Sequence, residues 1–320
     1  MSKNNKILLV LTGGTICSFE DNSGRRHTNA IKTKIENCVT GVDFVKKIPY
    51  DILSENLTVD KWNTLILNLK AYKFEQYKGV IILHGTDTLA YTSCLLSILL
   101  SGVKVPVFLV SSQLPLEHID ANGYDNFKTA VDLINKNIIP NVYVPYKNSD
   151  GNMYVHLGSR ITQCPNHSND FTSIDGNISV GCNAHLRLFE QKISIKPSVL
   201  NLKPYVGLDY SFLKLRNVKA VVHGTYHSQT VCIDCTNIKY SVNYLLNKGI
   251  TVILHPCNKG IYDSTVNAIE KGVVPLFGMT EEMVYIKTLI GVSLGLKNQN
   301  LIDFLNLNIN NEFCYQEELL

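Results

Sequence analysis

Long apolar runs are missing from this chain of 320 residues. None approaches the roughly 20 residues of a membrane span, so no spanning helix is expected. An excess of one charge is missing too. Thirty Lys and Arg stand against 27 Asp and Glu, and no basic cluster stands out beyond Gly24-Arg25-Arg26, so a nucleic-acid partner is not expected. The nine cysteines are odd in number and lack framework spacing. That pattern points to a reduced, cytoplasmic setting rather than a disulfide scaffold. Cys232 and Cys235 have redox-motif spacing but neither a thioredoxin-like context nor a second ligand pair for zinc, and they read as packing residues. Fixed-period repeats and low-complexity segments are absent as well. The apolar core of the N-terminus, Ile7 to Leu11, has five residues, short of the roughly 7–15 of a signal peptide. It reads as a first strand.

What is present is a regular alternation. Apolar runs at 6–11, 79–84, 105–111 and 141–146 read as buried strands. Helical spacing fills 58–72, 87–102 and 124–137, with Thr58 or Asp60 as a start signal and Gly102 as a stop. A less regular stretch with polar turns follows from about 150 to 215. Alternation then resumes through strands at 219–226 and 250–255 and helices at 239–249, 264–272 and 279–295. This predicts an α/β protein: a larger N-terminal, mainly parallel, doubly wound sheet in residues 1–195, a linker at 196–214, and a smaller parallel α/β domain in 215–320.

Ligands of such sheets sit at the carboxyl ends of strands. Three segments there draw notice: Thr12-Gly13-Gly14-Thr15, His84-Gly85-Thr86-Asp87-Thr88, and Ser111-Ser112-Gln113-Leu114-Pro115. A phosphate loop fits poorly, because neither G-x-x-x-x-G-K-[ST] nor G-x-G-x-x-G is present and no lysine follows. A threonine nucleophile fits better, and it needs a base or a cation nearby. Asp87 and Thr88 read equally as caps of the following helix. The two Gly-Thr pairs at neighbouring strand ends favour a shared small-molecule site.

Together, LTGGTI (11–16), LHGTDTLAYT (83–92), VSSQLP (110–115), NGYDNFKTA (122–130) and GMTEEMVYIKTLIG (278–291) resemble the bacterial-type asparaginase family, in the order and spacing of its cytoplasmic type I branch. The resemblance spans nearly the whole chain. It implies a cofactor-free amidohydrolase, with no metal, acting on asparagine, in two domains and as a homodimer or homotetramer. It further implies Thr15 as primary nucleophile, Thr86 as second catalytic threonine and Asp87 as the carboxylate that holds the substrate ammonium. Ser54 would bind the substrate carboxylate, Glu55 would lie beside the amino group, and Ser112 would offer a carbonyl to the leaving amide. Glu282 matches a glutamate that approaches a neighbouring subunit's site. An ammonium and a carboxylate need such a polar set. Backbone N–H groups near Gly14-Thr15 and Gly85-Thr86 are expected to hold the oxyanion.

The pattern breaks at one point. The family's Gly-x-Arg-x-x-Lys stretch reads Gly158-Ser159-Arg160-Ile161-Thr162-Gln163, with glutamine at the lysine position. A glutamine orients by hydrogen bonding but cannot lower a hydroxyl pKa by charge. No tyrosine lies between Ser18 and Ala30, where the family carries one. Two explanations keep an active enzyme: Lys147 or Arg160 fills the space as a substitute cation, or the amidase works with altered activation. The alternatives are a weakened relative that senses an amino acid, and the asparaginase-like subunit of a tRNA amidotransferase. That class carries an added N-terminal domain, against a first strand that begins here at residue 6. His223 and His227 lie on a strand and loop with no further ligand, so zinc is not expected. Cys257 and Tyr226 read as packing residues, or as lining of a regulatory site that the type I resemblance implies.

Overall fold

The computed structural model describes residues 5–174, 184, 186–257 and 262–314. They form two compact units. One holds the described residues up to 174, those of 184–192, and Ile309–Asn311. The other holds those of 193–308 and 312–314.

The chain of the first unit runs through β1 (Lys6–Leu11), the hairpin β2 (Ser18–Glu20) and β3 (Arg26–Thr28), β4 (Asp43–Lys47), α1 (Val59–Lys70), β5 (Gly79–Leu83), α2 (Leu89–Leu99), β6 (Val107–Val110), α3 (Gly123–Asn135), β7 (Val142–Lys147), β8 (Met153–Leu157) and a short pair, β9 (Ile161–Thr162) and β10 (Thr172–Ser173). The main sheet has the order β4-β1-β5-β6-β7-β8, parallel except for β8. Side chains of its central strands alternate between two cores, as period-two geometry dictates. Leu8, Val10, Val80 and Ile82 pack with Leu65 and Leu69 of α1 and Leu96 of α2. Ile7, Leu9, Leu11, Ile81 and Leu83 pack with Phe127, Ala130 and Ile134 of α3. Burial on both faces is why these strands are continuous apolar runs. The strand order reverses at β1, which lies between β4 and β5. That reversal opens a crevice at the carboxyl ends of β1 and β5.

The second unit carries β11 (Val199–Leu202), β12 (Ala220–His223), α4 (Asn243–Leu246), β13 (Thr251–Leu254), α5 (Asp263–Glu270), β14 (Val274–Pro275), α6 (Glu281–Ser293) and α7 (Asn298–Asn306). Its sheet, β11-β12-β13-β14, is wholly parallel. β11 falls inside the 196–214 stretch read as a linker. The polar turn at 175–177 lies outside the described residues. Cys232 and Cys235, read from the sequence as packing residues, are joined as a disulfide. Among the described residues no helix is long and apolar enough to cross a membrane.

α6 buries Lys287 completely. Its ammonium donates to Glu312 Oε1 at 2.6 Å and to the Leu307 carbonyl, and burial pulls its pKa down. Removing one member takes the ion-pair partner from a charge buried in the core, which typically costs about 3–5 kcal/mol. Lys287→Met is therefore expected to lower the melting temperature sharply in calorimetry, and Lys287→Met with Glu312→Leu to recover most of the loss. Equal melting of the single variant and the parent would contradict this.

Candidate active site

Three loops meet at the switch point. After β1 the chain must turn at once, and Gly13 and Gly14 take φ of 102° and 76°, a left-handed region that favours glycine. The glycines are also needed for approach. A Cβ on Gly13 would strike the Ile52 backbone, and one on Gly14 would strike Cα and N of Gly85. A Cβ on Gly85 would strike the side chain of Ser54. The loop is pinned by Gly14 N–H to Ile52 O at 2.8 Å, Ile52 N–H to Thr12 O at 3.2 Å and Thr12 N–H to Leu83 O at 3.1 Å. The two Gly-Thr pairs thus touch through their glycines, and Thr15 and Thr86, both half-buried, follow directly.

Ser54 ties the third loop in. Its hydroxyl donates to Asp87 Oδ2 at 3.1 Å and accepts the Asp87 N–H at 3.2 Å. Thr88 Oγ1 donates to the Ser54 carbonyl at 3.1 Å. Ser54 is buried, while Asp87 and Glu55 are exposed, so both carboxylates are open to a cation. Gln163 reaches the same place from the end of β9. Its amide donates to Thr86 O at 2.8 Å and accepts the Ala90 N–H at 3.4 Å. A carbonyl only accepts and a peptide N–H only donates, so this pairing fixes which way the amide faces. Beside it lies a cavity of about 340 Å³, whose lining includes Thr86, Asp87, Gln113, Tyr146, Gln163 and Cys164. Burial raises the pKa of both Tyr146 and Cys164, Cys164 to about 12, and holds them neutral.

The remaining expected residues lie elsewhere. Lys147 pairs with Asp125 at 2.8 Å on α3. Arg160 is buried and its Nε donates to Asn311 O at 2.6 Å. Neither lines the cavity, and among its described lining residues none is a lysine or arginine. Ser112 is buried, with its hydroxyl donating to Leu114 O at 2.6 Å and accepting the Gly123 N–H at 3.1 Å. Glu282 is buried in the first turn of α6, in the second unit. The Gly14 N–H is committed to Ile52 O, which removes it from the expected oxyanion donors. In the second unit, His223 bonds Gly224 O and Tyr210, and Cys257 is buried.

Sequence reasoning misses Gln113 and Tyr146. Gln113 stands inside the Ser111–Pro115 segment, but an uncharged amide there carries no signal that sets it apart from Ser112. Tyr146 ends an apolar strand and so reads as core. Asp51 is missed as well. It accepts Thr28 Oγ1 and the Ala30 N–H, the latter at 2.7 Å, and so fastens the hairpin exit to the loop that carries Ser54.

Known proteins resemble this chain in sequence and in fold. The family description "Asparaginase, N-terminal" matches residues 6–193. The L-asparaginase of Thermococcus kodakarensis is 26% identical over 310 residues, covering 88% of this chain and 91% of the relative. A glutamyl-tRNA(Gln) amidotransferase subunit of Methanococcus maripaludis is 25% identical over 353 residues, covering 98% and 84%. In fold, the solved Thermococcus kodakarensis L-asparaginase superposes with a TM-score of 0.77 at 21% identity, covering 97% of this chain and all of that one. Vibrio cholerae L-asparaginase I gives 0.73 at 20%, covering 97% and 99%. The match of more than half the chain to the family description, on a sheet that carries the two Gly-Thr loops at its switch point, makes this chain a member of the asparaginase family.

Proposed function

We propose that this chain hydrolyses L-asparagine to L-aspartate and ammonia, with Thr15 as nucleophile. The observation that carries the reading is the direct approach of Gly14 to Gly85, which brings the loops of two threonines, a carboxylate and Ser54 together at the carboxyl ends of β1 and β5. The substrate ammonium meets Asp87 and Glu55. Once that charge neutralises Asp87, the Ser54 hydroxyl is released from it to donate to the substrate carboxylate. Thr15 Oγ1 attacks the side-chain carbonyl carbon, and its proton leaves with the departing nitrogen as ammonia, whose N–H groups the Ser112 carbonyl accepts. Water then cleaves the threonyl ester, yielding aspartate and restoring the hydroxyl. Thr86 is the second catalytic threonine, oriented by Gln163 through its backbone. Two domains on the boundaries 1–195 and 215–320, a cytoplasmic location, and a homodimer or homotetramer in which Glu282 serves a neighbouring copy belong to the same reading.

A second reading is favoured by the lack of a lysine or arginine among the cavity's described lining residues: a weakened relative that binds an amino acid and turns it over slowly. A third follows the relatives described as glutamyl-tRNA(Gln) amidotransferase subunits, in which hydrolysis would serve a partner. The first two separate on Gln163. If the missing charge limits the rate, Gln163→Lys is expected to raise turnover by about tenfold, which needs only about 1.4 kcal/mol of transition-state stabilisation. Lys147→Met should leave turnover at the parental value, since its ammonium is occupied by Asp125. Initial rates of ammonia release decide. Loss of turnover in Lys147→Met, with no gain in Gln163→Lys, would return the activating charge to Lys147.

A further inference from the structure

Beneath the Thr86 loop runs a buried chain of side chains that the reaction does not touch. Trp62 Nε1 donates to Thr92 Oγ1 at 3.0 Å. Thr92 Oγ1 meets His84 Nε2 at 3.0 Å, and His84 Nδ1 meets the Gly85 carbonyl at 2.8 Å. With a neutral ring every direction follows. An indole N–H only donates and a carbonyl only accepts. So Nδ1 carries the proton, Nε2 accepts from Thr92, and the hydroxyl of Thr92 accepts from Trp62. Thr92 has no exposed surface and His84 and Trp62 are almost fully buried. Burial pulls the His84 pKa to about 4, so the ring is neutral near pH 7.

We infer that Trp62, Thr92 and His84 are positioning residues: Trp62 and Thr92 hold the His84 ring from its Nε2 side, and the ring, through Nδ1–H, holds the Gly85 peptide that abuts Gly14 and carries Thr86. This rests on the asparaginase reading for its catalytic consequence only. Gly85 has Gly14 on one side and Ser54 on the other, so its carbonyl is the handle by which the loop is held from below. If the proton moved to Nε2, Nδ1 and the Gly85 oxygen would face each other as two acceptors, and the loop would shift. Small misplacements of reacting groups carry large rate costs. The second unit repeats the arrangement without the candidate site. His223 Nδ1 donates to Gly224 O at 2.6 Å, and Nε2 accepts from Tyr210 at 2.7 Å. It supplies an internal control.

The test combines ¹⁵N histidine spectra with kinetics on Thr92→Val, Thr92→Ser and Tyr210→Phe. Thr92→Val keeps the shape and removes the hydroxyl. Parent protein should display His84 with Nδ1 protonated and Nε2 carrying the ¹⁵N shift of a hydrogen-bond acceptor, and Thr92→Val should abolish that acceptor shift while the Gly85 carbonyl keeps the proton on Nδ1. Its kcat should fall by about tenfold or more with KM within about threefold, the signature of a lost transition-state interaction. Thr92→Ser should restore both the Nε2 acceptor shift and kcat. Tyr210→Phe should lose thermal stability while kcat is kept, which separates positioning from general destabilisation. A parental His84 protonated at Nε2, or a Thr92→Val variant with parental kcat, overturns the inference. Failure of the parent to release ammonia would count against the asparaginase reading instead, and the tautomer spectra would still judge the relay by themselves.

Discussion

Thr15→Ala should lower the turnover of L-asparagine by roughly a thousandfold or more, because removal of a nucleophile leaves only binding and oxyanion contributions. The substitution is mild for the fold. The left-handed positions are the preceding Gly13 and Gly14, and alanine keeps the Cβ of a half-buried site. Melting temperature and circular dichroism should therefore match the parent, so that the rate loss reports chemistry. Thr15→Ser, which keeps an oxygen, should retain measurable turnover. An alanine variant with more than about a tenth of parental kcat, a deficit under about 1.4 kcal/mol, would take the role of nucleophile away from Thr15.

The second large effect concerns the substrate's charge. N-acetyl-L-asparagine keeps the amide and the carboxylate but lacks the ammonium. Asp87 and Glu55 would then face a neutral amide. Asp87 would also retain the Ser54 hydroxyl, which donates to it at 3.1 Å in the free site, so the substrate carboxylate would lose its donor as well. Both carboxylates are exposed in the free chain, and the loss is smaller than for a fully buried pair. A fall in kcat/KM of about a hundredfold or more is expected, since a polar site rejects a substrate that leaves its groups unpaired. Ammonia release measured with the two compounds side by side checks it. Comparable values would mean that Asp87 and Glu55 do not hold an ammonium.

The strands at the centre of the first sheet are legible in the sequence because they are buried on both faces and so read as unbroken apolar runs. β4, with Asp43, Lys46 and Lys47 on a sheet edge, has no such signature, and neither has the antiparallel edge strand β8, whose outer residues are exposed. α7 lies beyond the last helix that the spacing marks, its apolar face carried by Leu301, Phe304 and Leu305 alone. In the site, the Gly-Thr segments are legible as motifs, and the sheet topology brings their glycines together. What joins them is not legible. The Gly14 N–H is taken by Ile52, far along the sequence, and Lys147 is neutralised by Asp125, at a sequence separation of 22. Such long-range pairings leave no local trace. The His84 relay is hidden for the same reason: a histidine at the end of an apolar strand reads as a core residue until its partners are visible.

The most direct measurement is ammonia release from L-asparagine by the purified protein, alone and at neutral pH, in parallel with its Thr15→Ala variant. The account predicts stoichiometric aspartate and ammonia from the parent and, from the variant, a rate lower by roughly a thousandfold. A parent that binds asparagine without releasing ammonia, or a variant as fast as the parent, would contradict it.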